Sequence, residues 1–313
     1  MTEVATLALF ADMLVRATPL ILAGLAVAVA FQGGVLNIGA EGQLLVGAGT
    51  STAISLNLGA ALGPATIVIA LIAGALAGAA WALIAAELRN RFHVLEVIST
   101  IMLNFVALYL ISFLVRGPLQ EPTHIYPQTS SIPAYAQLPI ILEGTRLHVG
   151  FILAVAGGFI AWWMIRNTAA GFRLRVTGAN PQAARVAGMI NVELTTRKTF
   201  LISGALAGLA GAIEVHGVTF ALYENISPGY GYTAIAVALL AGLNPAWVVA
   251  SGILFGALET GANALQRDAG IPATLVWVAE ALVILAVLAT ERYRLRRSDQ
   301  AFVPAFAPAR GSS

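Results

Sequence analysis

The sequence contains no cysteine, and this absence excludes disulfide bonds, thiol catalysis and metal sites built on thiolates. Charge is also scarce, because only 10% of the residues are charged, whereas about a quarter of a soluble domain is charged. Of the 17 basic residues only Lys198 is a lysine. No Ser/His or His/Asp arrangement typical of an enzyme occurs. We therefore predict no catalytic residue, no cofactor and no metal site on this chain.

Two short sequence signals are missing as well. The phosphate-binding motif G-x-x-x-x-G-K-[ST] is absent, and no soluble stretch is large enough to hold a nucleotide. Residues 1–17 lack the basic start and the small-residue cleavage site of a signal peptide, so we expect an uncleaved chain. If this chain takes part in an ATP-driven process, a separate chain must hydrolyse the ATP.

Hydrophobic residues are abundant and make up 58% of the chain. The apolar runs are continuous rather than alternating, which indicates membrane-spanning helices and not a β-barrel. The predicted fold is all-α, a polytopic helical bundle forming a single domain over 1–313 with its membrane core at 17–290. About nine spans are predicted, at 17–31, 43–57, 62–86, 94–116, 148–167, 199–220, 231–243, 246–265 and 272–290. The second, seventh and eighth are shorter than the roughly 20 residues of a full crossing, which is typical of broken or re-entrant helices that line a cavity.

The distribution of arginine predicts the orientation. Basic residues concentrate at 87–93, at 166–198 and in the tail 291–313, and such an excess marks cytoplasmic segments. The loop 117–147 has five prolines, two glutamates and one arginine, so we expect it to face outward. This places the C-terminus inside and the N-terminus outside, unless residues 1–16 lie along the membrane interface.

One internal repeat is a candidate. The segment "IAGALAGAAWAL" (72–83) matches "ISGALAGLAGAI" (202–213) at eight of twelve positions, and the predicted orientation runs the two in opposite directions. Inverted repeats are common in transporters. Chance similarity between Ala/Gly-rich helices is the alternative.

Polar residues and glycines interrupt the hydrocarbon at "GGVLNIGAEGQLLVG" (33–47). Each glycine inside a helix costs about 1 kcal/mol relative to alanine, and a carboxylate such as Glu41 is expensive in a bilayer. Two roles stay open for Asn37, Glu41 and Gln43. They can contact a polar solute directly, or they can stabilise a kink in the backbone.

Further polar residues lie within predicted spans. Asn104 belongs to a polar stripe with Glu96 and Thr100, which indicates a face turned to protein or water, so Asn104 is either a pathway residue or a packing contact. Glu259 and Glu280 lie deep in the last spans and carry the same two alternatives. The candidate pathway residues are thus Asn37, Glu41, Gln43, Asn104, Glu259 and Glu280. Six intramembrane or near-membrane glutamates, Glu41, Glu96, Glu214, Glu224, Glu259 and Glu280, leave ion coupling open.

The cytoplasmic stretch 168–198 is long for a connection between helices, which usually has about 2–8 residues. Residues 182–190 suit a short amphipathic helix, with Asn180 as its cap and Pro181 in its first turn. A surface helix of this kind favours docking of another protein, and a helix lying in the lipid headgroups is the alternative.

Four stretches together resemble a known family. They are "ATPLILAGLAVAVAFQGGVLNIGAEGQLLVGA" (17–48), "HVLEVISTIMLNFVALYL" (93–110), "GANPQAARVAGMINVELTTRKTFLISGALAGLAGAIEVHG" (178–217) and "SPGYGYTAIAVALLAGLNPAWVVASGILFGAL" (227–258). In this order they are similar to permease subunits of bacterial ABC importers, in the branch of branched-chain amino acid, ribose-type sugar and nucleoside permeases. The combination of "NIGAEGQ", "EVISTIMLN" and "IAVALLAGLNP" resembles the nucleoside (guanosine-type, simple sugar) permeases most.

The resemblance implies a type II importer with a bundle of about ten helices per permease. It implies two permeases, often a heterodimer, two ATPase subunits that use the ATP, and an extracytoplasmic binding protein, frequently a lipoprotein. We expect a multi-pass protein of the bacterial plasma membrane with no nucleic-acid partner. Longer relatives carry a further span before residue 17, so we expect either a short member or a start placed too far downstream.

By the same resemblance the stretch 168–198, here called the coupling segment, meets the ATPase. The residues assigned to this contact are Gly178, Asn180, Pro181, Ala183, Ala184, Arg185 and Gly188. The expected function is the non-catalytic permease subunit of an importer of nucleosides or related sugars. The alternatives are the same fold carrying a pentose, a hexose or a branched-chain amino acid, and an ion-coupled transporter that works alone.

Overall fold

The computed structural model describes residues 2–186 and 190–269 and the isolated positions 278, 281 and 282. The architecture is the predicted all-α bundle, built from long apolar helices and several short ones. In chain order the helices are α1 (Thr2–Gln32), α2 (Ala40–Asn57), α3 (Gly59–Leu62), α4 (Thr66–Phe92), α5 (Glu96–Arg116), α6 (Gly150–Asn167), α7 (Ala169–Ala179), α8 (Pro181–Val186), α9 (Val192–Glu214), α10 (Tyr230–Leu240) and α11 (Pro245–Ala269).

Within the described residues, six segments are long and apolar enough to cross a membrane. They are Thr6–Gln32, Gly59–Phe92, Glu96–Arg116, Gly150–Asn167, Val192–Thr219 and Pro245–Arg267. The helix α10, with 11 residues, is apolar but shorter. The predicted last span at 272–290 and the tail at 291–313 lie outside the described residues, apart from the three isolated positions.

The first helix begins earlier than predicted. Helix α1 runs without interruption from Thr2, whereas the predicted span starts near residue 17. Residues 6–16 are thus continuous with the first candidate span, Thr6–Gln32, which favours a longer first span over a separate helix along the membrane interface. The reason is packing against α11, where the backbone of Met13 and Ala17 lies so close to Gly256 that a Cβ atom there would collide with it. A small residue at such a contact lets two helices approach closely.

The two segments of the candidate repeat pack against each other. A Cβ atom on Gly78 of α4 would collide with the carbonyl oxygen of Gly204 on α9, and one on Gly204 would collide with that of Gly78. Gly208 approaches the carbonyl oxygen of Gly74 in the same way. Antiparallel helices related by a two-fold axis make such reciprocal contacts, which favours an inverted repeat over chance similarity.

The segment between α9 and α10 returns into the bundle. A π-helical turn, Val215–Thr219, ends α9, and the chain then runs beside the loop 117–147, with the Thr129 N–H donating to the Leu222 carbonyl at 2.9 Å and the Ile132 N–H donating to the Phe220 carbonyl at 2.8 Å. Helix α10 starts only at Tyr230, which is buried inside the bundle. It is therefore a half-helix with an internal N-terminus, as the shortness of the predicted seventh span indicated.

The two long loops lie at opposite ends of the bundle. The loop 117–147 contacts the C-terminal end of α9, where Leu138 N–H donates to the His216 carbonyl at 2.8 Å. The coupling segment instead approaches the end of α1, where Gly178 contacts Gly34. This separation is what the arginine distribution predicts for loops on different sides of a membrane.

Candidate functional site

A break interrupts the helical path between α1 and α2. Helix α1 ends at Gln32 and α2 begins at Ala40, so residues 33–39, here called the helix break, are not helical. Gly34 has a φ of +69°, in the left-handed region that glycine adopts without strain. The freed N–H and C=O groups need partners within the protein, because hydrocarbon offers none.

Asn37 and Gln43 supply part of this compensation by pairing with each other. The Asn37 Nδ2 donates to Gln43 Oε1 at 3.0 Å, and Gln43 Nε2 donates to Asn37 Oδ1 at 3.0 Å. Asn37 also donates to Ser203 Oγ at 2.8 Å and accepts from the Gly39 N–H at 2.9 Å. Both hydrogens and both lone pairs of the buried Asn37 amide are therefore used inside the protein.

Helix α5 supplies further partners of the break. Asn104 Oδ1 accepts from the Gly42 N–H at 2.8 Å, and Asn104 Nδ2 donates to the Ile38 carbonyl at 3.0 Å. The Ile38 N–H donates to Thr100 Oγ1 at 3.3 Å. The polar stripe of α5 thus faces protein, and it holds the backbone of the break in place.

Glu41 joins the break to α10. Its Oε2 accepts from the Gly231 N–H at 2.7 Å, and Ser227 Oγ accepts from the N–H groups of Gly229 and Tyr230 in the same turn. The first turn of a helix has unpaired N–H groups and a positive dipole end, both of which favour a carboxylate. Glu41, which is 7% exposed, therefore caps the half-helix from another part of the chain.

The predicted pathway residues fall into two groups. Asn37, Glu41, Gln43 and Asn104 come together around the helix break. Glu259 lies elsewhere, with its Oε2 3.7 Å from the Arg16 Nη1, and Glu280 lies outside the described residues.

A polar cavity of about 490 Å³ lies beside the N-terminus of α10, toward the end of the bundle that carries the loop 117–147. We call it the Glu214 cavity, after the carboxylate of α9 that it contains. Its lining includes Asp12, Arg16, Arg146, Glu214, Tyr230 and Arg267. The sequence marked Glu214 only as one of several glutamates within apolar spans, and the cavity could not be foreseen because its lining comes from distant segments.

An ion pair holds the segment that leads from α9 to the cavity. Arg116 Nη2 lies 2.7 Å from Glu224 Oε2, and Ser112 Oγ donates to Glu224 Oε1 at 2.5 Å. The hydrogen bond from Arg116, followed by that from Ser112, lowers the pKa of Glu224 below its usual value. The carboxylate therefore stays charged at neutral pH and ties this segment to α5.

The coupling segment has the predicted cap. Asn180 Oδ1 accepts from the N–H groups of Gln182 at 3.0 Å and Ala183 at 2.9 Å, with Pro181 as the first residue of α8. Ala183 is exposed, whereas Ala184 is 1% exposed and packs inside the chain.

Two further residues assigned to the coupling segment have different outcomes. Arg185 is exposed and forms an ion pair with Glu193 at 2.5 Å. Gly188 lies outside the described residues.

Gly178 brings the coupling segment into contact with the helix break. A Cβ atom on Gly178 would collide with the carbonyl oxygen of Gln32 and lie 2.8 Å from the nitrogen of Gly34. Only a residue without a side chain allows this approach.

Comparison with known proteins places this geometry in a family. The family described as branched-chain amino acid transport system / permease component matches residues 9–289. The chain is 38% identical to a glucose ABC transporter permease protein of Haloferax volcanii, over 93% of this chain and 79% of the relative. It is 40% identical to a guanosine ABC transporter permease protein of Bacillus subtilis, over 88% and 80%. It is 32% identical to a nucleoside ABC transporter permease protein of Lactococcus lactis, over 86% and 76%. The chain therefore belongs to this family of permease components, which are the non-catalytic, multi-pass membrane subunits of ABC transporters.

Proposed function

We propose that the chain forms the translocation pathway of an importer for nucleosides or related simple sugars. The observation that carries the proposal is its similarity, at 40% and 32% identity, to permeases named for guanosine and for nucleosides. Family membership favours this importer over an ion-coupled transporter that works alone, because permease components act with separate subunits.

A hexose is the second candidate solute. The relative from Haloferax volcanii, at 38% identity over 93% of this chain, is named for glucose. A nucleoside and a hexose share a neutral ring with several hydroxyl groups, so one pathway chemistry suits both.

The partners follow from the subunit type. A separate ATPase uses the ATP, and an extracytoplasmic binding protein delivers the solute. Bacillus subtilis has two guanosine ABC transporter permease proteins similar to this chain, at 40% and 31% identity. This pair supports a heterodimer with a second, related permease.

The coupling segment (168–198) is proposed to meet the ATPase on the cytoplasmic side, with the loop 117–147 outside and the C-terminus inside the plasma membrane. The exposed residues Pro181, Ala183 and Arg185 offer the docking surface, whereas Ala184 supports α8 from within. A hollow of about 340 Å³ lies beside this surface, lined by residues of α8, by the junction of α4 and α5 with Arg89 and Glu96, and by the start of α9.

Coupling is proposed to run from α7 to α10 through the helix break. Gly178 touches the start of the break, Asn37 and Asn104 hold its middle, and Glu41 bonds the N-terminus of α10. A shift of α7 would therefore move the half-helix through direct contacts. In this proposal the amides of Asn37, Gln43 and Asn104 position the backbone of the pathway and do not hold the solute.

Transport by the assembled complex tests the proposal. The chain, its ATPase, its second permease and its binding protein are reconstituted in proteoliposomes, and uptake of radiolabelled guanosine, glucose and leucine is measured with and without ATP. We expect ATP-dependent uptake of guanosine or glucose. Uptake of leucine alone, or accumulation by this chain alone under an ion gradient, would contradict the proposed function.

A further inference from the structure

Glu214 is a buried carboxylate whose acceptor capacity the protein leaves open. Glu214 is 5% exposed, and it lines the Glu214 cavity. Among the described residues no hydrogen-bond donor reaches its carboxylate, and the hydrogen bond that Thr219 makes at this position goes to the backbone carbonyl. A buried carboxylate without donors is costly, so a donor from outside the chain would stabilise it.

Among the described residues, groups of both signs line the cavity. Three guanidinium groups, those of Arg16, Arg146 and Arg267, lie there together with the carboxyl groups of Asp12 and Glu214. Glu259 is not part of this lining, but it pairs with Arg16. A lining of mixed sign favours a neutral polar ligand over an anion or a cation, since a charged ligand would meet groups of its own sign as well.

The volume of the cavity and the other residues that line it further restrict the class of ligand. A volume of about 490 Å³ falls within the range of roughly 300–1,000 Å³ of small-molecule sites. Tyr223 and Tyr230 add aromatic rings to the lining, and such rings pack against the faces of sugars and bases. The two oxygens of the Glu214 carboxyl group suit two hydroxyl groups on neighbouring carbons, because each oxygen can accept a hydrogen bond.

We propose that the Glu214 cavity binds the hydroxyl-bearing ring of a neutral solute, with Glu214 accepting hydrogen bonds from two adjacent hydroxyl groups. The site rests on the proposed function and deepens it by naming where the pathway recognises its solute. Tyr230 lines the cavity and is followed directly by Gly231, whose N–H is held by Glu41. Movement of α10 would thus change the site that holds the solute.

Thiol labelling tests access and occupancy. The native chain has no cysteine, so Glu214→Cys gives this chain a single thiol within the full complex, and Ser131→Cys in the exposed loop is the matched control. We expect an impermeant thiol reagent to label both, and guanosine or glucose delivered with the binding protein to slow labelling at 214 only. Absence of labelling at 214, or labelling that no solute slows, would overturn the proposed site.

A comparison of hydroxyl groups tests recognition. Uptake kinetics of guanosine and 2′-deoxyguanosine are measured for the wild-type complex, for Glu214→Ala and Glu214→Gln, and for the control Glu143→Gln in the exposed loop. We expect Glu214→Ala to raise the KM for guanosine roughly tenfold or more, because two hydrogen bonds to the carboxyl group are lost. We expect a smaller rise for Glu214→Gln, which keeps one acceptor, and an unchanged KM for the control Glu143→Gln.

The ratio between the two nucleosides separates recognition from general damage. The binding protein is the same in all samples, so its own preference cancels when variants are compared. Glu214→Ala should reduce the preference for guanosine over 2′-deoxyguanosine, and an unchanged preference with unchanged KM would overturn the site. A wild-type complex that carries neither nucleosides nor hexoses would instead remove the proposed function.

Discussion

At the scale of single residues, the polar side chains within the apolar spans mostly serve the backbone. The Asn37 amide makes all four of its possible hydrogen bonds within the protein, and Asn104 bonds both an N–H and a C=O of residues near the break. Glu214 differs because its carboxylate finds no donor among the described residues. Burial alone therefore does not distinguish a structural polar residue from a binding one, and the partners do.

Replacing Asn37 tests the structural role. Asn37→Ala leaves the Gly39 N–H and the Gln43 amide without partners, and each buried unpaired group costs about 1–3 kcal/mol. We expect a lower midpoint of thermal unfolding for the purified complex and a loss of uptake in proportion to the loss of folded protein. The exposed Asn57→Ala, which removes one bond to the Ala53 carbonyl, is the control. Full stability with lost uptake would instead indicate direct contact with the solute.

The buried histidine His148 should make the stability of the folded protein depend on pH. Burial, followed by the nearby Arg146 charge, lowers the pKa of His148 from 6.5 to about 4. The unfolded chain therefore binds a proton on His148 near pH 6.5, whereas the folded chain binds it only near pH 4. Stability from this group is complete above pH 6.5 and falls as the pH drops through this window.

The test of this prediction is His148→Asn, which keeps an acceptor for the Gly150 N–H and removes the titration. Thermal midpoints of the complex, measured from above pH 6.5 down to about 4, should fall less for this variant than for the wild type. His124→Asn in the exposed loop is the control. Equal slopes for His148→Asn and the wild type would contradict the prediction.

At the scale of elements, two interruptions of helical structure meet. The helix break (33–39) and the N-terminus of α10 are joined by the bond between Glu41 and Gly231, at 2.7 Å. An irregular backbone inside a membrane needs such partners from protein or water. The coupling segment touches the same region through Gly178, so three separate elements share one contact region.

A bulky residue at position 178 should disturb coupling. Gly178→Val places side-chain atoms against the backbone of Gln32 and Gly34, which cannot move as a flexible side chain would. We expect intact complexes that hydrolyse ATP but take up less solute per ATP. The neighbouring, exposed Ala179→Val is the control. A normal ratio of uptake to hydrolysis in Gly178→Val would exclude this contact from the coupling route.

At the scale of the whole molecule, α1 is the most buried of the candidate spans within the described residues. In the most apolar window of α1, 89% of the residues are buried inside the protein, whereas the value is 28% for the spans of α4, α5 and α6. The exposed apolar faces of these outer helices are what a bilayer or a second permease would cover. The loops at the two ends of the bundle then lie on different sides of the membrane.

Single-cysteine labelling of intact cells tests that orientation. Ser131→Cys and Gln182→Cys each introduce one thiol at an exposed position of a chain without native cysteine. We expect an impermeant reagent to label position 131 and not position 182, because arginine-rich segments are retained inside. Labelling at 182 without labelling at 131 would reverse the orientation.

Much of the fold and part of the candidate site can be predicted from the sequence. The helical class and the interrupted helix follow from local composition, because glycines and polar groups within hydrocarbon require a break. The cap of α8 follows from "NPQA", since Asn and Pro have fixed preferences at a helix start. The start of α1 could not be placed, because its contact with Gly256 comes from a distant helix.

The sequence by itself determined the class of protein, the position of the helix break and the residue types that surround it. Only the tertiary structure decided that α1 is the most buried of the described spans, that Asn104 and Glu41 bond groups far away in sequence, and that Glu214 faces a cavity with Arg16 and Arg146. The physical reason is that lipid is as apolar as a protein core, so hydropathy does not separate buried helices from lipid-facing ones. Contacts between distant segments have no period along the chain, and packing alone brings them together.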